Sequence, residues 1–410
     1  MTRAIDRCRI CGGTELVTVL NLGSQALTGV FPKTKTETVP SGPLELVKCQ
    51  ADCGLVQLRH SYDLSELYGM NYGYRSGLNA SMVRHLQSKV ERILKRDVLH
   101  PGDLVVDIGS NDGTTLAAYP GGRFELVGFD PTGPKFAQFY PKGARLIPDF
   151  FSAELLRKEL PGRGAKVITS FSMFYDLEDP CAFMREVHAS LDDEGIWVFE
   201  QSYLPAMLRT NSFDTVCHEH LEFYALKQIY WMAERTGFKL LDVEFNVVNG
   251  GSFSVTAARS SSKRSGDQDL FQRLLGEESA SGLDDLAIWD AFRLRVEGAK
   301  RDLVQFLEDA HRSGKRVCGL GASTKGNVLL QYFGIDARLV EAIGEVNEDK
   351  FSAFTPGTLI PLAPEDEILA STPDFLLVLP WHFRDFFLGL PKLRGRTLIF
   401  PLPRFDLVRV

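Results

Sequence analysis

The stretch LVVDIGSNDGTTL, residues 104–116, narrows the possible folds more than any other part of the chain. Its opening residues, Leu104 to Ile108, read as a short apolar strand, and a glycine-containing turn carries the chain directly into helix-forming sequence. About 20 residues further on, FELVGFDPTG repeats the strand signature and closes on Asp130. Strand, turn, helix and strand make a βαβ unit, whose right-handed crossover requires a parallel sheet with helices packed on it.

The alternation continues. AKVITSFS and GIWVFEQS are further strands separated by the helix CAFMREVHASL, which predicts a doubly wound α/β domain reaching to about Arg259. A polar interval, SSSKRSGDQD, ends it. One long amphipathic helix is expected from Asp284 to His311, leading into a second alternating series, KRVCGLGAST, KGNVLLQYFG, RLVEAIGEV, DFLLVLPW and RTLIFPLP. A chain of 410 residues exceeds what one core organises. The expected division is residues 1–65, a small cysteine-bearing domain; 66–260, an α/β domain with a helical lead-in over 66–100; and 261–410, a helical linker with a second Rossmann-like α/β domain.

The first segment carries Cys8-Arg-Ile-Cys11 and Cys49-Gln-Ala-Asp-Cys53. Two close cysteine pairs far apart in sequence are the spacing of a four-thiolate zinc site, although the second pair has three intervening residues where two are usual. Four thiolates leave no open coordination position, so this zinc is expected to be structural. Cys181 and Cys318 read as buried small residues. Lys and Arg total 46 against 53 Asp and Glu, a net charge of -7, which argues against a nucleic-acid or anionic-membrane partner. With no membrane-length apolar run, and thiols better read as ligands than as a disulfide framework, the expectation is a cytoplasmic protein, a monomer being compatible with the sequence.

The turn after the first strand sits where open α/β sheets bind ligands. Gly109 permits close backbone approach, and Asp107 and Asp112 offer carboxylates to a cationic ligand such as S-adenosylmethionine, with its ammonium and sulfonium groups. Asp130 is placed to accept ribose hydroxyls. On this loop alone a dinucleotide-dependent dehydrogenase, or a turn without a ligand, stays open.

Taken together, CRICG, DIGSNDGTTL with GFDP, QSYLP to CHEHLEFY, NGGS at residues 249–252, GLGASTKGN, PGTLIP and LPWHF resemble, in order and over essentially the whole chain, the nucleotide-sugar C-methyltransferases. The resemblance implies a zinc-binding N-terminal domain, a class I S-adenosylmethionine domain, and a C-terminal Rossmann-like domain that helps hold a nucleotide-diphosphate sugar. The implied reaction methylates carbon 3 of a 4-keto-deoxysugar through an enolate. Cofactor contacts are then expected from Asp107, Gly109, Ser110, Asn111, Asp112, Gly113, Asp130 and Pro131.

The HEH motif at residues 218–220 admits a metal site, a base with support, or chance. Read as a strand, its neighbours point to opposite faces, which disfavours one metal. The resemblance makes His220 the base, with Glu219 fixing its tautomer or binding sugar and His218 doing either job or serving only structure. It also places Tyr72 and Tyr74 over the site, and suggests Arg75, Ser76 and Asn79 for the sugar or its diphosphate. Lys325 and Asn327, at a helix N-terminus with free amides, suit a diphosphate. Two positions depart from the pattern, Cys217 where several members have tyrosine and Asp176 where they have histidine. A zinc-ribbon RNA-modifying methyltransferase and a non-catalytic binding protein on the same scaffold are the competing readings.

Overall fold

The computed structural model describes residues 2–62 and 75–410. Its centre is a seven-stranded sheet with strands β1 (Leu104–Ile108), β2 (Glu125–Phe129), β3 (Arg145–Ile147), β4 (Ala165–Phe171), β5 (Leu191–Ser202), β6 (Phe238–Asn246) and β7 (Ser252–Arg259). The spatial order is β3-β2-β1-β4-β5-β7-β6, with β7 antiparallel to both neighbours and the other pairings parallel. This is the class I methyltransferase arrangement, and the strand order reverses beside β1, so its C-terminal end faces a crevice.

Both faces of the sheet are covered, as alternation along β5 shows. Ile196 and Val198 pack with Val90 and Ile93 of the helix Ala80–Lys95, whereas Trp197 and Phe199 pack on the opposite face with Phe174 and Tyr224. Glu200, next on the first face, would be a costly buried carboxylate were it alone. It is instead held by His85 at 2.5 Å, Lys89 at 2.7 Å and Asn246 at 2.8 Å, which pins the lead-in helix to the ligand end of β5.

The N-terminal sheet is antiparallel, in the order Glu222–Phe223, Val56–Leu58, Ser41–Cys49, Leu16–Ala26. Its first strand comes from the central domain, directly after the HEH motif. The C-terminal sheet has six strands, five parallel and a last antiparallel one, Asp406–Arg409. The long helix is Ala287–Arg312, with a buried stripe of Trp289, Phe292, Val296, Ala299, Leu303, Leu307 and Ala310 at three- and four-residue spacing. That stripe shares one core with Leu44 and Leu58 of the N-terminal sheet, while Cys8, Cys49 and Leu55 join the core under β5. The N-terminal domain is thus wedged against both α/β domains.

Candidate active site

The four cysteine sulfurs lie within 4.8 Å of one another. Sγ separations are 3.6 Å for Cys8–Cys53 and Cys11–Cys49, and 3.3 Å for Cys11–Cys53. Zinc–sulfur bonds of ~2.3 Å in a tetrahedron require sulfurs about 3.8 Å apart, so the cluster fits zinc. The amides of Gly13 and Leu55 point at Cys11 Sγ and Cys53 Sγ, at 3.4 and 3.5 Å, a polar support suited to thiolates. A side chain on Gly13 would lie 3.4 Å from two of the sulfurs, and the left-handed Gly54 turns the chain after the longer second pair.

At the end of β1, Gly109, Asn111 and Gly113 all have positive φ (70°, 49° and 75°), folding the turn tightly back. A Cβ on Gly109 would sit 3.2 Å from Met173 Cγ, a contact that glycine avoids. Asp107 is buried and accepts a 2.5 Å hydrogen bond from Thr169 Oγ1; burial raises its carboxyl to about 7. A cation beside it would favour the ionised form, so the residue fits an ammonium-bearing cofactor. Asp130 accepts from the Asn111 amide at 2.7 Å and from Thr132 N and Oγ1, keeping lone pairs for a ribose. Ser110 Oγ meets Tyr140 OH at 2.7 Å, and Pro131 lies exposed at the rim.

Asp112 departs from expectation. Its carboxylate is spent on Arg75 Nε at 3.2 Å, the Gly77 amide at 2.9 Å and Thr114 Oγ1 at 2.5 Å, which leaves Asp107 and Asp130 as the acidic groups of the crevice. Arg75 also lies 3.8 Å over the Phe139 ring, and the Ser76 amide donates to Asn111 Oδ1 at 3.0 Å. Asn79 accepts from the amides of Ser81 and Met82 as the N-cap of the lead-in helix. These three residues, expected on the sugar, are used in this structure to close the lead-in segment over the cofactor turn. Tyr72 and Tyr74 lie outside the described residues.

The HEH motif is a turn, not a strand; the strand begins at Glu222. The alternation argument against a shared metal therefore does not apply, but the side chains still diverge. His218 is fully buried, donates from Nε2 to the Gly42 carbonyl at 3.2 Å and sits edge-on to Tyr62, which makes it a packing residue of the N-terminal sheet. Glu219 turns toward Gly29, and burial raises its carboxyl. Neither aligns His220. The Thr215 carbonyl does so, accepting from Nδ1–H at 2.8 Å, which leaves the lone pair on Nε2. The Tyr175 ring packs edge-on, with centroids 4.4 Å apart. Desolvation, with a smaller push from Lys325, lowers His220 to about 4, so the imidazole is neutral. Cys217 is buried, its thiol raised first by burial and then by the charges of Glu219 and Asp176.

Lys325 reaches the same junction from the C-terminal domain. It lies in the first turn of the helix Thr324–Phe333, where one of the N-terminal amides is already taken: Ser323 Oγ accepts from the Gly326 amide at 3.0 Å. Lys325 Nζ donates to the Asn249 carbonyl at 2.6 Å, on the left-handed turn 249–251. Burial lowers Lys325 from the usual lysine range, and Asp214, fully buried and held by Trp381 Nε1 at 2.7 Å, opposes that by favouring the charged form. Burial, and then the same lysine, lowers His382 to about 3. Asn327 does not reach this junction as a ligand: it is fully buried and donates to the Thr28 carbonyl at 2.8 Å, fastening the helix to the N-terminal domain. Tyr175, Asp214 and Trp381 have no role assigned from the sequence, although Tyr175 adjoins Asp176 and Trp381 lies within LPWHF, both singled out there.

Three family models match in chain order: the zinc binding domain over residues 8–68, the methyltransferase domain over 78–243 and the C-methyltransferase C-terminal domain over 247–403. The chain is an S-adenosylmethionine-dependent C-methyltransferase of the family that joins these three domains. C-methyltransferase NovU of Streptomyces niveus is 28% identical over 409 residues, covering 98% of this chain and 97% of NovU. Among solved structures, magnesium protoporphyrin IX methyltransferase of Synechocystis PCC 6803 aligns over 43% of this chain and 79% of its own, at 13% identity and TM-score 0.32. A methyltransferase of Bacillus halodurans C-125 aligns over 43% of this chain and all of its own, at 12% identity and TM-score 0.33. No helix among the described residues is long and apolar enough to cross a membrane.

Proposed function

We propose that the protein methylates a carbon beside the ketone of a nucleotide-linked 4-keto-deoxysugar, at C3, in the making of a branched sugar. The observation that carries this reading is the state of His220: neutral, with Nδ1–H committed to a carbonyl and the Nε2 lone pair unspent, at the meeting of the three domains. A neutral imidazole with one fixed tautomer is suited to removing a weakly acidic C–H proton.

S-adenosylmethionine, when bound, supplies a methyl group on a sulfonium to a carbon nucleophile. Asp107 and Asp130 would hold its ammonium and ribose, and Gly109 to Gly113 would form the backbone cradle. His220 Nε2 takes the proton from C3, and the electron pair moves onto the ketone oxygen as an enolate. Lys325, a cation at the same junction, favours that negative charge. As C3 takes the methyl group, the enolate returns to a ketone, and His220 gives its proton to bulk water after the product leaves. Packing of the three domains keeps water from reprotonating the enolate. Residues 1–65 serve as the structural zinc domain, and residues 261–410 hold the sugar nucleotide.

Incubation with methyl-labelled cofactor and a panel of 4-keto-6-deoxy nucleotide sugars, read by mass, tests this. One product gaining a methyl group on carbon is expected. Labelling of tRNA or rRNA fragments, with no sugar labelled, would replace it with the RNA-modifying reading.

A further inference from the structure

Between the first two zinc-site cysteines lies Arg9, whose side chain is 2% exposed. Burying a guanidinium is costly unless each donor is met, and here most are. Nη1 donates to the Leu58 carbonyl at 2.6 Å and Nη2 to Ser61 Oγ at 3.0 Å, while the Arg9 amide donates to Gln57 Oε1 at 3.1 Å. Nε is buried without a hydrogen bond of its own, 3.6 Å from Glu222 Oε1 and 3.5 Å from Glu178 Oε2. Glu222 is itself completely buried, and neither of its oxygens has a hydrogen bond. Burial holds the Glu222 carboxyl well above the usual carboxylate range; Arg9 pulls it back down, against the nearby charges of Asp176 and Glu178, so the two side chains form a buried polar contact across the domain boundary.

Glu222 stands two residues after His220. It pairs with Gln57 across the N-terminal sheet, Leu58 N donates to the Leu221 carbonyl at 2.8 Å, and Leu221 N donates to the Tyr175 carbonyl at 2.8 Å. The histidine turn is thus held on one side by the zinc domain and on the other by the tyrosine whose ring packs on His220. We infer that Arg9 is a positioning residue for the base: the cysteine site fixes Arg9, and Arg9, through Glu222, fixes the turn that presents His220. This makes the zinc domain part of the catalytic geometry. The inference rests on the role of His220 proposed above, but its central readout does not need turnover.

The test compares the full-length wild type with Arg9→Met, and with Arg9→Met/Glu222→Gln, which leaves no unpaired buried charge should the single variant fail to fold. The imidazole of His220 is titrated by NMR on histidine-labelled protein, alongside zinc content, cofactor affinity and steady-state kinetics. With zinc content and cofactor affinity unchanged, His220 should titrate higher in the variants than in the wild type, as the turn loosens and water relieves the desolvation that lowers it. For methyl transfer, kcat should fall at least about tenfold with KM held, the size of a lost alignment rather than a lost binding contact. A zinc-loaded, folded variant with wild-type His220 titration and wild-type kcat would overturn the inference. A moved titration in a protein that methylates no keto-sugar would support the positioning role and refute the proposed substrate instead.

Discussion

At the scale of the residue, the proposed function rests on two ionisable groups and each has a pH signature. His220 is lowered to about 4, so the acid limb of kcat/KM should lie near that value; activity is lost as pH falls through it, because Nε2 is then protonated. A limb near 6.5 would mean a solvated imidazole. Asp107 is raised to about 7 by burial, and in the proposed role it ionises to meet the cofactor's ammonium, so affinity for S-adenosylmethionine should increase as pH rises from 6 to about 8. Calorimetric titrations should show this slope in the wild type and its loss in Asp107→Asn. The chemical type of these residues was legible in the sequence, since DIGSNDG and HEH name a carboxylate and an imidazole. Their partners were not: the Thr215 carbonyl that sets the His220 tautomer and the Arg75 that occupies Asp112 are contacts made in three dimensions, with no local signature.

At the scale of the element, the strands and helices of both α/β domains follow from periodicity, and the long helix Ala287–Arg312 lies within a few residues of the span its apolar spacing predicts. The HEH segment is expected as a strand, but HEH is three polar residues in a row and lacks the alternation of a half-buried strand. Pairing starts only after it, at Glu222–Phe223 with Gln57 and Val56, followed by a bridge from Tyr224 to Tyr203, and the preceding residues turn to bury His218. The turn 249–251 holds a stability prediction. A Cβ at Gly251 would lie 2.4 Å from Ala206 Cβ on a backbone with φ 123°, so Gly251→Ala should lower unfolding free energy by about 1–3 kcal/mol in urea titrations. A neutral result would mean that the turn relaxes freely. Asn79, expected on substrate, caps a helix, and Asn79→Ala should cost about 1 kcal/mol.

At the scale of the whole molecule, the proposed site lies where segments matched by the three family models meet, which is why composition and motif order pointed to the family while the location of the junction stayed hidden. His218 and His220 are each lowered to about 4, and His382 to about 3. Between about pH 6.5 and these values the histidines bind protons in the unfolded chain alone, so their share of stability falls as pH drops, while the raised carboxyls of Asp107, Glu219 and Glu222 act in the opposite sense. Thermal unfolding of wild type and His218→Gln at pH 7 and pH 5 isolates the His218 share: the difference between the two proteins should change between the two pH values, and a constant difference would contradict it.

The central claim is that His220 Nε2 strips a proton from the sugar carbon. Solvent deuterium exchange into a 4-keto-deoxy nucleotide sugar, without methyl transfer, reads that step alone. Wild-type protein should incorporate one deuterium beside the ketone, and His220→Ala should slow this by at least about a hundredfold, the usual reach of a general base. Exchange at the wild-type rate in His220→Ala would contradict the account.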